Sequence, residues 1–382
     1  MMEKTKQSYL IERGGAKYFH GREKQLKNFE DLLVETIHKE IGSSFLIQGP
    51  PGVGKTALIQ ECCQVAKDKH WQVIELTTRS LHDPEDFFER ITKDKSKKEM
   101  KAFLKINLSL IQFGMTSKKT GPSHVLNEKL IQSKPTLLYL DEAQTLINLL
   151  DGDKKNDVSD FLNTYHNLKS KHGFVFLFAG LSRTRETLES FGLSRFSSGC
   201  VCYLEGLNPK AERQVLEDWL LMEFQTPSNP KGWINPIMQR TEGWPRHLQS
   251  YVNAMNEYLN IGDSLNDTLL QKVLDFGDYL KNQYYIQRCQ GIPNDEKYFI
   301  NKVIQSLPEH FNGKDFVSLL SKKVPEERAV FLYEKCLSKG IIHLNDRDIC
   351  SIPVPSLKTY LNTYHNTPNP SHEKTKGSPI GY

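Results

Sequence analysis

The chain has 382 residues, enough for about two or three domains, and its 38% hydrophobic and 25% charged residues are typical of a soluble globular protein. A formal net charge of only +4 excludes nucleic-acid binding through overall basicity, so any such surface must come from local clustering. No apolar run reaches the length of a membrane span or a signal peptide, and we expect a cytoplasmic protein with no membrane partner.

Residues 1–18 are polar, and we expect them to form an N-terminal extension. The tripeptide Gly21-Arg22-Glu23 follows, and apolar residues then recur at helical spacing from Leu26 to Ile37. The spacing predicts an amphipathic helix. By itself, Gly-Arg-Glu is explained equally well by the start of that helix and by a role in binding a ligand.

The stretch from Ser43 to Gln60 combines a strand, a glycine-rich turn and a helix. Its apolar run, Phe45–Ile47, predicts a buried strand, and the turn reads Gly-Pro-Pro-Gly-Val-Gly-Lys-Thr. This is the sequence and the context of a phosphate-binding loop. The residues that we expect to hold the nucleotide are Gly49, Gly52, Val53, Gly54, Lys55, Thr56 and Ala57.

Each residue type in this loop suits a bound phosphate. Gly52 and Gly54 let the backbone turn its N–H groups inward, and the helix that Ala57 opens adds its positive N-terminal end. Lys55 can reach the β- and γ-phosphates, and the Thr56 hydroxyl can ligate Mg²⁺. The loop therefore predicts ATP and Mg²⁺ as cofactors.

After this helix, the run from Trp71 to Leu76 predicts a second strand, and Asp83-Pro84 is typical of a helix start. Lysines are then frequent across residues 92–123, where no strand pattern is visible. We expect a basic insertion between core strands. It is either a contact for a nucleic-acid backbone or a solvated loop.

A third apolar strand, Thr136–Leu140, ends in two carboxylates, Asp141 and Glu142. Acidic side chains at a strand end need a cation or water nearby. Asp141 is expected to hold Mg²⁺, and Glu142 is expected to orient and polarise the water that attacks the γ-phosphate. Together with Lys55, Glu142 is therefore a candidate catalytic residue.

The next apolar run, Phe174–Gly180, predicts a fully buried strand, preceded by a helix over about 158–171. Polar residues follow it, among them Ser182 and Thr184. Either side chain could contact a bound phosphate or simply cap the next helix. The fifth strand is predicted at Val201–Leu204, shortly after Ser194-Arg195-Phe196.

From Asn208 onwards the pattern is helical. Four helices are predicted between 207 and 290, and the third begins at Gly-Trp-Pro-Arg, which ends in Arg246. We assign residues 19–206 to a nucleotide-binding core and residues 207–290 to a helical lid.

Residues 291–364 are predicted to form three helices and a hairpin, in the order of a winged helix. The third of these helices, Pro325–Lys339, mixes acidic and basic residues, so a protein contact is at least as reasonable as a DNA contact. Residues 365–382 are rich in Pro, Ser, Gly and Lys and are expected to be disordered.

The ordered motifs of residues 19–290 resemble those of AAA+ ATPases: Gly-Arg-Glu, GPPGVGKT, LLYLDEAQ, the polar end of the fourth strand, Ser-Arg-Phe and Gly-Trp-Pro-Arg. Within them, the chain is similar to the group of origin-recognition initiators and of ATPases for transposon target selection and secretion. The implied fold is α/β: a parallel five-stranded P-loop core, a helical lid and an α+β winged-helix-like C-terminal domain.

The resemblance also implies roles for four further residues. Arg22 would lie on the adenine side of ATP, Ser182 would sense the γ-phosphate, and Arg246 would contact nucleotide from the lid. Arg195 would reach the γ-phosphate of a neighbouring subunit in a homo-oligomer, a role that suits a permanently charged guanidinium. Many relatives have Asn where this chain has Ser182, so the sensor residue stays open between Ser182 and Thr184.

Three functions are compatible with these features. The first is an ATPase that assembles with ATP on double-stranded DNA and recruits or regulates a protein effector. The alternative is a switch like the STAND or defence-system ATPases, which acts on a protein partner without DNA. The third, a metabolic kinase, fits the lid and the C-terminal domain poorly.

Overall fold

The computed structural model describes residues 16–39, 42–76, 135–149, 173–193, 199–226, 230–345 and 347–363. The chain divides into two compact units, Met1–Lys281 and Asn282–Tyr382. Several sequence predictions lie outside the described residues: the helix start at Asp83, the basic insertion, the helix over 158–171, Arg195 and the C-terminal tail.

The first unit contains a five-stranded parallel sheet, whose strands are β1 (Ser43–Gln48), β2 (Gln72–Glu75), β3 (Thr136–Leu140), β4 (Phe174–Gly180) and β5 (Cys200–Tyr203). They lie in the order β2-β3-β4-β1-β5. All seven residues of the central strand β4 are buried, as expected for a parallel strand that is covered on both faces. The parallel five-stranded core that the sequence predicts is therefore confirmed.

Helices accompany these strands in the described ranges. Helix α1 (Glu23–Lys39) precedes β1, while α2 (Lys55–Asp68), a short 3₁₀ helix (Ala143–Leu149) and α3 (Thr184–Ser190) follow β1, β3 and β4 respectively. Register places Gln48, the last residue of β1, opposite Gly180, the last residue of β4. The carboxyl ends of these parallel strands thus meet at one edge, where ligands bind in sheets of this kind.

A bundle of helices follows β5, as predicted. Its members are α4 (Pro209–Asp218), which continues as a π-helix (Trp219–Glu223), α5 (Lys231–Thr241), α6 (Pro245–Tyr258) and α7 (Asp267–Arg288). Asn208 caps α4 by accepting a hydrogen bond from the amide of Ala211. Trp219, Trp233 and Tyr251 are among the buried side chains that form the core of this bundle.

The second unit has a small antiparallel sheet accompanied by helices. Its elements are α8 (Asn294–Ser306), β6 (His310–Asn312), α9 (Gly313–Leu320), α10 (Glu326–Lys339), β7 (His343–Leu344), β8 (Ile349–Ser351) and α11 (Leu357–Thr363). The strands of the sheet lie in the order β6-β8-β7. Gly340 ends α10 in the left-handed conformation, with φ 67°. The winged-helix-like arrangement is confirmed, and β6 and α11 are additions that the sequence pattern did not predict.

Across the described ranges, no helix combines the length and the apolarity that crossing a membrane requires.

Candidate nucleotide-binding site

The predicted phosphate loop connects β1 to α2 at the ligand-binding edge of the sheet. Gly52 and Gly54 have φ values of 79° and 98°, in the region that favours glycine. Among the described residues, no side chain caps the N-terminus of α2, and the first amides of a helix have no intrahelical partner. The loop and the helix end thus form a backbone surface suited to an anion.

Gly49 serves a different purpose from the other two glycines. A Cβ atom at this position would lie 2.9 Å from Cγ1 of Val53 and 3.0 Å from the carbonyl oxygen of Leu204. The first glycine of the motif thus lets the loop pack against the segment after β5. Ala57, in the first turn of α2, is partly exposed.

Lys55 is buried, and its ammonium group lies within the phosphate loop. Nζ donates hydrogen bonds to the carbonyl oxygens of Gly49 and Pro50, both at 2.9 Å. A buried charge is unfavourable unless it is paired and hydrogen-bonded. The carbonyl dipoles hold the ammonium group within the loop, where its positive charge suits the oxygens of a bound phosphate.

Thr56 and Asp141, separated by 85 residues in sequence, meet at the strand ends. Oγ1 of Thr56 donates to Oδ2 of Asp141 at 2.6 Å, and the other carboxylate oxygen accepts from the amide of Glu142 at 2.8 Å. Burial raises the pKa of Asp141, an effect that the two hydrogen bonds and the charge of Lys55 partly offset.

The two side chains fit a magnesium ion. Mg²⁺ prefers oxygen ligands and commonly takes only one or two carboxylates from the protein, with water and phosphate completing its shell. Thr56 and Asp141 offer a hydroxyl and a carboxylate at adjacent positions. Within the described ranges, no group of three or more His, Cys, Asp and Glu side chains forms another metal-binding cluster.

Glu142 is exposed and adopts a left-handed backbone conformation, with φ 52°. Its carboxylate accepts a hydrogen bond from Nε2 of Gln144, whose Oε1 in turn accepts from the amide of Leu181 at 3.1 Å. The sequence showed Gln144 only as part of the DEAQ motif. The signal available in the sequence was an amide side chain, able to form hydrogen bonds, two residues after the candidate catalytic acid.

The two sensor candidates after β4 have different environments. Thr184 is fully buried, and its hydroxyl donates to the carbonyl of Leu181 at 2.7 Å, within its own turn. Ser182 is partly exposed, and its carbonyl accepts from the buried side chain of Gln48 at 3.0 Å. The Ser182 position is therefore the more accessible of the two at this edge.

The guanidinium group of Arg22 hydrogen-bonds to the phosphate loop and to the segment after β5. Nη2 donates to the carbonyl of Glu205 at 2.5 Å and, over a longer distance of 3.4 Å, to that of Val53. Burial lowers the pKa of Arg22. These contacts connect the loop to the segment after β5, while an adenine contact by Arg22 stays a prediction.

Arg246 lies at the start of α6, which is directed at the phosphate loop. Its backbone amide donates to the carbonyl of Gly52 at 3.0 Å, so the lid and the loop are in contact. The proline before it, Pro245, lies 3.8 Å from the position that a Cβ atom on Gly54 would occupy. The predicted lid arginine is thus next to the loop.

A buried carboxylate that sequence reasoning missed supports this turn. Glu212 accepts hydrogen bonds from the amide of Gly243, at 3.0 Å, and from the hydroxyl of Thr241. Burial raises the pKa of Glu212, and the two donors act in the opposite direction. Gly243 is needed here because a Cβ atom would lie 2.4 Å from the carbonyl oxygen of Leu207.

The structure therefore brings together most of the predicted site residues around one loop: Arg22, Gly49, Gly52, Val53, Gly54, Lys55, Thr56, Ala57, Asp141, Glu142, Ser182 and Arg246. Arg195 lies outside the described residues.

Comparison with known proteins agrees with this geometry. Residues 18–155 match the model of the AAA ATPase domain family. This part of the chain is an AAA+ ATPase domain. The match includes the phosphate loop and the two carboxylates after β3, so the domain is a nucleotide-binding one.

Solved structures extend the likeness in fold to nearly the whole chain. The Walker-type ATPase paby2304 of Pyrococcus abyssi has a TM-score of 0.58 at 15% identity, covering 91% of this chain and 97% of that one. The ORC2 protein of Aeropyrum pernix, solved in ADPNP-ADP complexes, has a TM-score of 0.57 at 13% identity, covering 92% and 96%. At such identities the likeness concerns the fold alone. No curated protein matches the sequence.

Proposed function

We propose that the chain binds ATP with Mg²⁺ and hydrolyses it to ADP and phosphate. The observation that carries this proposal is the convergence of Lys55, Thr56, Asp141 and Glu142 at the end of the phosphate loop. These residues supply a cation for phosphate, two oxygen ligands for a metal and a carboxylate for water. The AAA ATPase domain match over residues 18–155 supports the same reaction.

Each residue has one task in this reaction. Lys55 and the loop amides bind the β- and γ-phosphates. Thr56 and Asp141 hold Mg²⁺, which offsets the negative charge on the phosphate oxygens when it is bound. Glu142 orients the attacking water and accepts its proton, because its carboxylate is exposed beside the metal ligand Asp141.

The lid and a neighbouring copy complete the proposed site. Ser182 senses the γ-phosphate and Arg22 supports the loop on the adenine side. Arg246 contacts nucleotide from the lid, since its backbone already bonds to Gly52. Arg195 is assigned to the γ-phosphate of a second copy, so ATP would favour a homo-oligomer by binding more tightly to the assembled state. The corresponding boundaries are 19–206 for the core, 207–290 for the lid and 291–364 for the winged-helix-like domain.

Two substitutions test the ATPase proposal. Lys55→Ala should abolish ATP binding, measured by calorimetry, while Lys67→Ala, at an exposed position of the same helix, should leave it unchanged. Glu142→Gln should keep ATP binding and stop hydrolysis, because an amide retains the shape but polarises water poorly. Equal ATP affinity in Lys55→Ala and wild type would contradict the proposed site.

We further propose that the ATP-bound chain associates with double-stranded DNA and recruits a protein effector. The winged-helix-like arrangement of the second unit supports this step, as does the lysine-rich segment at 92–123. The test is fluorescence anisotropy of duplex DNA with the Glu142→Gln variant, with and without ATP, over a salt series. Binding that needs ATP and weakens steeply with salt is expected, and no binding at low salt would exclude this function.

A feature of α10 favours the second candidate, a switch that acts on a protein partner. Val330 and Phe331 are exposed on this helix, and Arg328 and Lys335 lie 4.7 and 5.5 Å from the centre of the Phe331 ring. Exposed aromatic and arginine side chains are enriched at protein interfaces. A partner that co-purifies with Glu142→Gln but not with Lys55→Ala would favour the switch, whereas an unchanged set of partners would argue against it.

A further inference from the structure

Glu142 is held by a side chain from its own loop. The 3₁₀ helix that starts at Ala143 turns Gln144 back, so that its Nε2 donates to a carboxylate oxygen of Glu142. Meanwhile the amide of Glu142 donates to Asp141 at 2.8 Å. An exposed glutamate normally samples several rotamers, and these contacts restrict it at both ends.

The other end of the Gln144 amide reaches the strand next to β3. Its Oε1 accepts from the amide of Leu181 at 3.1 Å, directly after β4. Gln144 thus joins the candidate catalytic acid to the segment that carries Ser182. An amide side chain is required for this contact, because it donates from one atom and accepts on the other.

Gly180 provides the space for this connection. A Cβ atom at Gly180 would lie 2.3 Å from Oε1 of Gln144 and 2.0 Å from Oγ1 of Thr184. Gly180 is the last residue of β4, and its φ is not among the positive values. The glycine is therefore needed here for close approach and not for an unusual backbone angle.

We propose that Gln144 is a positioning residue that aims the carboxylate of Glu142 at the attacking water and couples its position to the end of β4. This inference rests on the proposed ATPase function. Hydrolysis needs Glu142 in one orientation, whereas ATP binding depends on Lys55 and the loop. Loss of the Gln144 contact should therefore lower kcat and leave ATP affinity unchanged.

The central test is Gln144→Met, which keeps the length of the side chain and removes its hydrogen bonds to Glu142 and Leu181. We expect kcat to fall by on the order of 10- to 100-fold, the effect of losing a hydrogen bond to a charged group, while the Kd for ATP stays within about twofold. The matched control is Gln64→Met on α2, where an exposed glutamine bonds to Asp68 at 2.7 Å. This control should retain wild-type kcat.

A second variant tests the hydrogen bonds of the Gln144 amide to Glu142 and to Leu181 separately. Gln144→Glu retains an oxygen that can accept from Leu181 but places a second carboxylate beside Glu142, so kcat should fall at least as far as in Gln144→Met. Hydrogen exchange at the Leu181 amide, followed by NMR with ¹⁵N-leucine labelling, provides a readout that does not depend on hydrolysis. Exchange should accelerate in Gln144→Met and stay near the wild-type rate in Gln144→Glu.

The outcomes distinguish this inference from the proposed function. If wild type and Gln64→Met hydrolyse ATP and Gln144→Met does so equally fast, the positioning role is wrong and the ATPase proposal stands. A Gln144→Met variant that loses ATP affinity in proportion to kcat would also overturn the role, because a structural defect would explain both. If wild type hydrolyses no ATP at all, both proposals fail.

Discussion

The phosphate loop of the first unit and helix α10 of the second unit differ in how their side chains are used. Around the loop, Lys55, Thr56 and Asp141 are held by specific hydrogen bonds. On α10, Val330 and Phe331 expose 44% and 49% of their surface. The loop has the properties of a chemical site, and α10 has those of a contact surface.

This difference explains why the sequence indicates more about the function of the first unit than about that of the second unit. Phosphate binding requires glycines at positive φ, a lysine and metal ligands in fixed positions, and such requirements leave a motif in the sequence. A contact surface requires only exposed side chains of suitable shape, which many sequences provide. The comparison can be tested with paired substitutions, one in each region.

The largest difference should come from replacing a glutamate in each unit. Glu142→Gln should lower ATP hydrolysis by at least about 100-fold, the usual contribution of a positioned general base. Glu327→Gln, at an exposed position on α10, should leave hydrolysis within about twofold. Steady-state phosphate release at saturating ATP measures both. If Glu142→Gln keeps most of its activity, the carboxylate at the end of β3 is not the base.

Two neighbouring residues of α10 should differ strongly in their effect on stability. Leu332 is fully buried, so Leu332→Ala should destabilise the protein by about 2–5 kcal/mol. Phe331→Ala should change the free energy of unfolding by less than about 1 kcal/mol, since half of this ring is already in water. Calorimetry of the complete chain gives both values. A large loss for Phe331→Ala would mean that the exposed ring is structural and would weaken the interpretation of α10 as a contact surface.

Most of the fold could be predicted because its signals are local. The apolar run of β4, the asparagine and proline at the start of α4 and the glycine after α10 each lie within a few residues of the element they define. Two elements escaped prediction. Strand β6 has three residues, of which only one is buried. It is too short for an alternation of apolar and polar residues to be recognised. Helix α11 follows a turn at Ser356, which has a φ of 58°. A glycine at this position would have indicated the turn in the sequence, but a serine does not.

The sequence also named part of the candidate site. The loop motif and the strand-end carboxylates stand out as candidates because each residue type matches a chemical task. The contacts of the supporting residues could not be predicted, because their partners are far away in the sequence: Arg22 contacts Glu205, Glu212 contacts Gly243, and Gln144 contacts Leu181. Only the folded chain brings these pairs together.

A smaller effect concerns the stability of the first unit in acid. His247 in the lid is fully buried, and its Nδ1 donates to the carbonyl of Thr241 at 3.2 Å. Burial, with a smaller contribution from the charge of Lys281, lowers the pKa of His247 from 6.5 to about 3. As the pH falls, His247 therefore binds a proton at a higher pH in the unfolded chain than in the folded chain. The stability that His247 contributes is complete above pH 6.5 and declines as the pH falls from 6.5 towards 3.

The slope from this one group is at most about 1.4 kcal/mol per pH unit. His247→Asn can keep the donor to Thr241 but cannot titrate, so its stability should decline less between pH 6.5 and 5 than that of wild type. The control is His38→Asn, at an exposed position of α1 in the same unit, which should follow wild type. All four tryptophans of the chain lie in the first unit, so urea unfolding followed by tryptophan fluorescence reports the unit that contains His247. Identical pH profiles for wild type and His247→Asn would show that the acid sensitivity of this unit comes from other groups.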